Sequence, residues 1–190
     1  MIAAPPPGWA ARADRAVARG RRLDALIPGI LLDSPVSRVG FWWGTAVGWV
    51  WGTLWSTGRI ERRGGLWVFS GMPSWTFGRG GVCVGGCFLT GSADISDDVL
   101  RHEAVHARQW RRYGFLMPLL YAAAGRDPLT NRFEILAGLE DGNYVPRACG
   151  PALPAGTLRA RRRRTTVPGR APAATNLPRG GGEGARSRTW

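Results

Sequence analysis

Lysine is absent from this chain, histidine occurs only at 102 and 106, and cysteine only at 83, 87 and 149. The missing lysine accompanies abundant Arg, Gly, Ala and Pro, a bias that reflects GC-rich coding as much as selected chemistry. The net charge of +13 therefore carries little functional weight by itself. Three cysteines are too few for a disulfide framework and leave one thiol over, which fits a reducing compartment. They also lack C-x-x-C spacing, which argues against a redox or iron–sulfur role. The N-terminus holds no apolar run of the length a secretion signal needs, so a cytoplasmic setting is expected.

Acidic charge and aromatic rings run out toward the C-terminal end. From Gly150 onward there are nine arginines against one glutamate, which places +8 of the +13 in the last 41 residues. Arg159 and the run Arg161-Arg162-Arg163-Arg164 could meet phosphate, but no aromatic side chain lies between Gly150 and Thr189 to stack on bases. A disordered, solvated tail over 149–190 is the expectation, and nucleic-acid binding is disfavoured.

A second absence lies near the other end. Val39 to Trp55 carries no charge, with Arg38 before it and Arg59, Arg62 and Arg63 after it. Glycines at 40, 44, 48 and 52 form one slowly turning stripe on a helix, the spacing that lets helices approach closely in membranes. The length is at the short limit for a span. Two readings stand: a membrane segment over 38–58, giving membrane association, or a Trp-rich helix buried in a soluble core. Before it, a flexible start and a short helix over Trp9 to Leu26 fill 1–37.

A compact domain is expected over 59–148. Leu66-Trp67-Val68-Phe69, Val82-Cys83-Val84 and Cys87-Phe88-Leu89 are short β-prone runs cut by Gly and Pro, which predict a small antiparallel sheet. On such a strand Cys83 and Cys87 would share one face as buried apolar residues. Ser96 then offers an N-cap, Asp97 and Asp98 suit the first turn, and helical spacing runs to a stop at Gly114. An apolar helix over Phe115 to Ala124 and a third beginning near Asn131 complete an α+β domain.

The two histidines fall in the middle of the capped helix, in His102-Glu103-Ala104-Val105-His106. The i, i+4 spacing stacks both imidazoles on one helix face, where they can share a metal ion. Glu103 stands beside them, placed to take a proton from metal-bound water. A catalytic zinc site ordinarily has three protein ligands, and no third histidine exists. Glu134, 28 residues after His106 on the third helix, is the best candidate, with Asp127, Glu140 and Asp141 behind it. Glu134 could instead close a capping box with Asn131.

HEAVH followed by Glu134-x-x-Ala137 resembles the gluzincin pattern, H-E-x-x-H then E-x-x-A-D, and in particular its minigluzincin-like members. More narrowly, HEAVHARQWRRYG with NRFEILAGLEDGNYV resembles small actinobacterial proteins whose helix reads H-E-x-x-H-x-x-Q. The resemblance covers about residues 64 to 146. It implies a zincin-like fold in which His102, His106 and Glu134 bind Zn2+ and Glu103 is the general base. It also implies a strand beside the active helix that can pair with a peptide or protein substrate. Gly138 departs from the pattern, since many relatives have there an Asp that orients a ligating histidine, a role left to Glu140 or Asp141. Gln109 matches the motif extension and is a hydrogen-bonding candidate near the site or a local backbone cap. Tyr144, Tyr113 and Arg132 are available to steady an oxyanion, Tyr113 being more naturally a packed ring. The expectation is a zinc metallopeptidase; a non-catalytic metal-binding or interaction protein on the same fold is the alternative.

Overall fold

The computed structural model describes residues 4–77 and 80–146. Cys149 and the Arg-rich tail lie outside the described residues. The elements run α1 (Trp9–Leu26), α2 (Pro35–Trp55), β1 (Ile60–Arg63), β2 (Leu66–Phe69), β3 (Val82–Val84), β4 (Cys87–Leu89), α3 (Asp97–Tyr113), α4 (Met117–Ala123) and α5 (Arg132–Ala137).

The four strands form one sheet in the order β1-β2-β4-β3. It is mixed rather than antiparallel, because β2 and β4 run parallel, with Val68 opposite Phe88. The physical reason is β3. After β2 the chain makes an excursion, returns as β3, and reverses at Gly85 (φ 61°), so that β4 enters beside β2 in the same direction. β1 joins β2 through Gly64 and Gly65, at φ 58° and 83°, the left-handed pair that closes a tight hairpin. Its charged sequence, Ile60-Glu61-Arg62-Arg63, gives no β signal, and only this turn and the pairing make it a strand.

Alternation on the strands divides two cores. Leu66, Val68, Cys83 and Phe88 pack toward Leu100 and Ala107 of α3. Phe69, Cys87 and Leu89 form the opposite core. The two cysteines therefore lie on opposite faces of the sheet, not on one face, because they belong to adjacent antiparallel strands in which Val84, not Cys83, faces Cys87. Both thiols are free and buried, and burial pushes Cys87 up to about 12.

α2 covers the second face. It starts four residues before the charge-free stretch, at a capping box in which the Ser34 and Ser37 side chains accept each other's backbone N–H, with Pro35 in the first turn. The glycine stripe faces inward. A β-carbon on Gly40 would lie 2.4 Å from the Phe115 nitrogen, on Gly44 2.8 Å from the Trp110 ring, and on Gly52 2.5 Å from the Phe69 ring. The four-residue spacing thus serves close packing of α2 on α3 and on the sheet. Among the described residues no helix is long and apolar enough to cross a membrane. α2 has the length, but its glycines and threonines add little apolar bulk. The spanning reading is set aside.

Candidate metal centre

The helix that carries the motif starts as its sequence dictates. The Ser96 hydroxyl accepts from the Val99 N–H, a cap worth about 1 kcal/mol, and Asp97 and Asp98 occupy the first turn. The inner face then presents His102, Glu103 and His106, all less than a tenth exposed. α5 lies against α3 and contributes Glu134. The Asn131 side chain caps α5 by accepting from the Phe133 N–H, so Glu134 is not needed as a capping partner and turns into the site.

Three donors converge. His102 Nε2 lies 3.0 Å from Glu134 Oε2 and 3.0 Å from His106 Nε2, and His106 Nε2 lies 3.4 Å from Glu134 Oε1. Donor atoms on all three residues lie within 4.8 Å of one another, so the group could hold a metal ion. Two of the alternatives are engaged elsewhere: Asp141 reaches Arg101 at 3.5 Å, and Asp127 accepts from the Leu129 N–H in its own loop; Glu140 is not in the converging group.

The second nitrogen of each ring fixes its tautomer. His102 Nδ1–H donates to the Gly138 carbonyl at 3.0 Å, which can only accept. The Gln109 amide donates to the Phe133 carbonyl at 2.9 Å, which leaves its oxygen to accept from His106 Nδ1–H at 2.8 Å. In the neutral rings both Nε2 atoms therefore carry bare lone pairs, aimed at each other and at a carboxylate. Lone pairs so arranged repel unless a positive charge sits among them. With no ion present, a proton on Nε2 is the positive charge that can sit there, and the titrations follow from that protonated form. Burial alone would raise Glu134, but hydrogen bonds from His102 and His106 outweigh it and hold the carboxyl well below its ordinary range. Burial likewise opposes charge on His106, yet the bond to Glu134 and the charge of Glu103 raise it. Burial raises Glu103, partly offset by His106 and His102. Its Oε2 is buried with no hydrogen-bond partner among the described residues. An orphaned acceptor beside converging lone pairs fits a bound cation with its water.

Gly138 resolves the departure in the motif. It caps α5 at φ 99°, a conformation that L side chains rarely adopt, and this turn aims its carbonyl at His102. The backbone supplies the orienting acceptor, and neither Glu140 nor Asp141 takes that role. Three further residues escaped the reading by spacing. The Tyr121 hydroxyl donates a hydrogen bond to Glu134 Oε1, from a helix that reads as merely apolar. Gly142 packs on the His102 ring, where a β-carbon would fall 2.6 Å from Cε1. Asp24 of α1 accepts from the Tyr113 hydroxyl (2.6 Å) and from Arg132 Nη1 (2.8 Å), which anchors both side chains to α1. Tyr144 does reach the site, its ring 5.9 Å from that of His102. No protein family, curated protein or solved structure matches the chain.

Proposed function

We propose that the chain is a zinc-dependent amide hydrolase of peptidase type, with a zincin-like site built from His102, Glu103, His106 and Glu134. The observation that carries this is the pairing of three convergent donors with the orphaned Glu103 oxygen. Donors 2.0 to 2.1 Å from a tetrahedral zinc lie about 3.3 Å apart, close to the separations of 3.0 to 3.4 Å here. Zinc, when bound there, lowers the pKa of its water to about 7 and polarises a substrate carbonyl.

The chain's residues divide the remaining work. Glu103 Oε2 has the free lone pair to accept the proton of the attacking water and later to deliver it to the leaving amine. Burial raises its pKa and so strengthens it as a base. Gln109 and the Gly138 carbonyl hold the two rings by their Nδ1 protons. Tyr121 steadies Glu134, and Tyr144, whose ring lies beside His102, is a candidate donor for a developing oxyanion. The substrate class is a peptide or protein.

One observation favours a second reading, an ion that is structural rather than catalytic. His102, His106, Glu103 and Glu134 are between 2% and 8% exposed, and the turn through Gly142 presses on His102. Glu103→Gln separates the two. Hydrolysis of a general peptide library that falls about a hundredfold or more, with metal content intact, supports the enzyme. Equal turnover by both proteins, or none by either, leaves the structural ion.

A further inference from the structure

The outer face of α2 remains apolar in the folded chain. Trp42 and Trp43 are 65% and 58% exposed, and Val39, Val50 and Leu54 are exposed with them. The face continues onto Phe115, whose ring lies 5.9 Å from that of Trp43. At the far end Trp75 packs edge-on against Trp51 and Trp55. Scattered exposed apolar residues need no explanation, but a continuous aromatic surface on one helix does.

Charge chooses the occupant. No acidic residue lies between Asp33 and Glu61, whereas Arg38 and Arg59 stand at the two ends of the helix and Arg111 lies against Phe41. Among the described residues none of these three arginines pairs with an acid; the nearby Asp33 is taken by Arg112 at 3.0 Å. A surface of tryptophan and valine edged by unpaired arginines matches a bilayer interface, where indoles sit at headgroup level and cations meet anionic lipid. Residues 147–190 are poor candidates to cover it, since their only large apolar side chains are Leu153, Leu158, Val167, Leu177 and Trp190.

We propose that α2 lies in the plane of an anionic membrane surface, its glycine face holding the fold and its tryptophan face in lipid. This is docking on one leaflet without crossing it, and it does not depend on whether the metal centre is catalytic. The test is flotation of the full chain with phosphatidylcholine vesicles, with and without phosphatidylglycerol, beside a Trp42→Gln/Val50→Gln/Trp43→Gln variant. Melting temperature and metal content check that the variant is folded. The parent is expected to bind anionic vesicles about tenfold or more tightly than neutral ones. Its indole emission should be quenched by bromine-labelled lipid, and the variant should lose at least tenfold in binding. Equal flotation of parent and variant would assign the binding to the arginine tail and overturn the proposal. So would failure of the parent to float, or a concentration-dependent dimer without lipid that the three substitutions abolish.

Discussion

The candidate metal centre and the outer face of α2 break the usual rule of burial in opposite directions. In the first, two imidazoles and two carboxylates are nearly sealed from water; in the second, Trp42 and Trp43 stand open to it. Buried polar groups are tolerable only when each finds a partner, and here Gly138, Gln109, Phe133 and Tyr121 supply all but the one at Glu103. The apolar face has no such internal bookkeeping, because nothing within the described chain answers it. Polarity inside therefore suits the fold to an ion that the three donors could hold, while apolarity outside leaves the fold alone. Each half of that contrast can be broken separately.

The largest effect is expected from Glu134→Ala. Metal analysis should fall from one ion per chain to none, and thermal unfolding should lose about 2.7 kcal/mol or more if the parent is measured at a hundredfold excess over its Kd. Full metal content in this variant would refute the three-donor centre. Gly40→Leu acts at the seam between the two regions, where the new side chain meets the backbone of Phe115. Overpacking of about 3 kcal/mol against about 1 kcal/mol of regained helix propensity predicts a net loss near 2 kcal/mol by denaturant titration. Gln109→Leu should lower metal affinity about 10- to 100-fold in a chelator competition, because His106 loses the acceptor that fixes its tautomer. An unchanged affinity would mean that the Nδ1 bond is incidental. Smallest of all, Leu54→Ser should leave stability within about 0.5 kcal/mol, since that side chain is 67% exposed. A larger loss would show that the apolar face already has an internal partner.

How much of this was legible in advance follows from which forces are local. The α3 helix could be read because Ser96, the two aspartates and Gly114 act on their own neighbours; α1 has no side-chain cap, and its end at Leu26 was legible only from Pro28 just beyond it. Glu134 was legible because spacing and elimination of histidine left few carboxylates on a returning helix. The parallel pairing of β2 with β4 was not, since strand direction depends on where β3 returns rather than on any residue in β2. The glycine stripe announced a close approach without saying to what. Tyr121 was hidden because a phenol on an apolar helix reads as packing until the fold shows what its hydroxyl meets.

Gly138 has one more consequence, in the charge count of the sealed centre. A carboxylate in its place would be an ionised group able to take up a proton as the solution acidifies. A peptide carbonyl is neutral and stays an acceptor at any pH, so the grip on His102 survives acid that would loosen its charged counterpart. The sum over the site changes as well. Glu103 and Glu134 as carboxylates carry two negative charges, which a divalent ion held there would cancel. An aspartate at 138 would leave one uncompensated anion in a region almost closed to solvent, where such a charge costs several kcal/mol. The glycine lets the loaded centre be neutral.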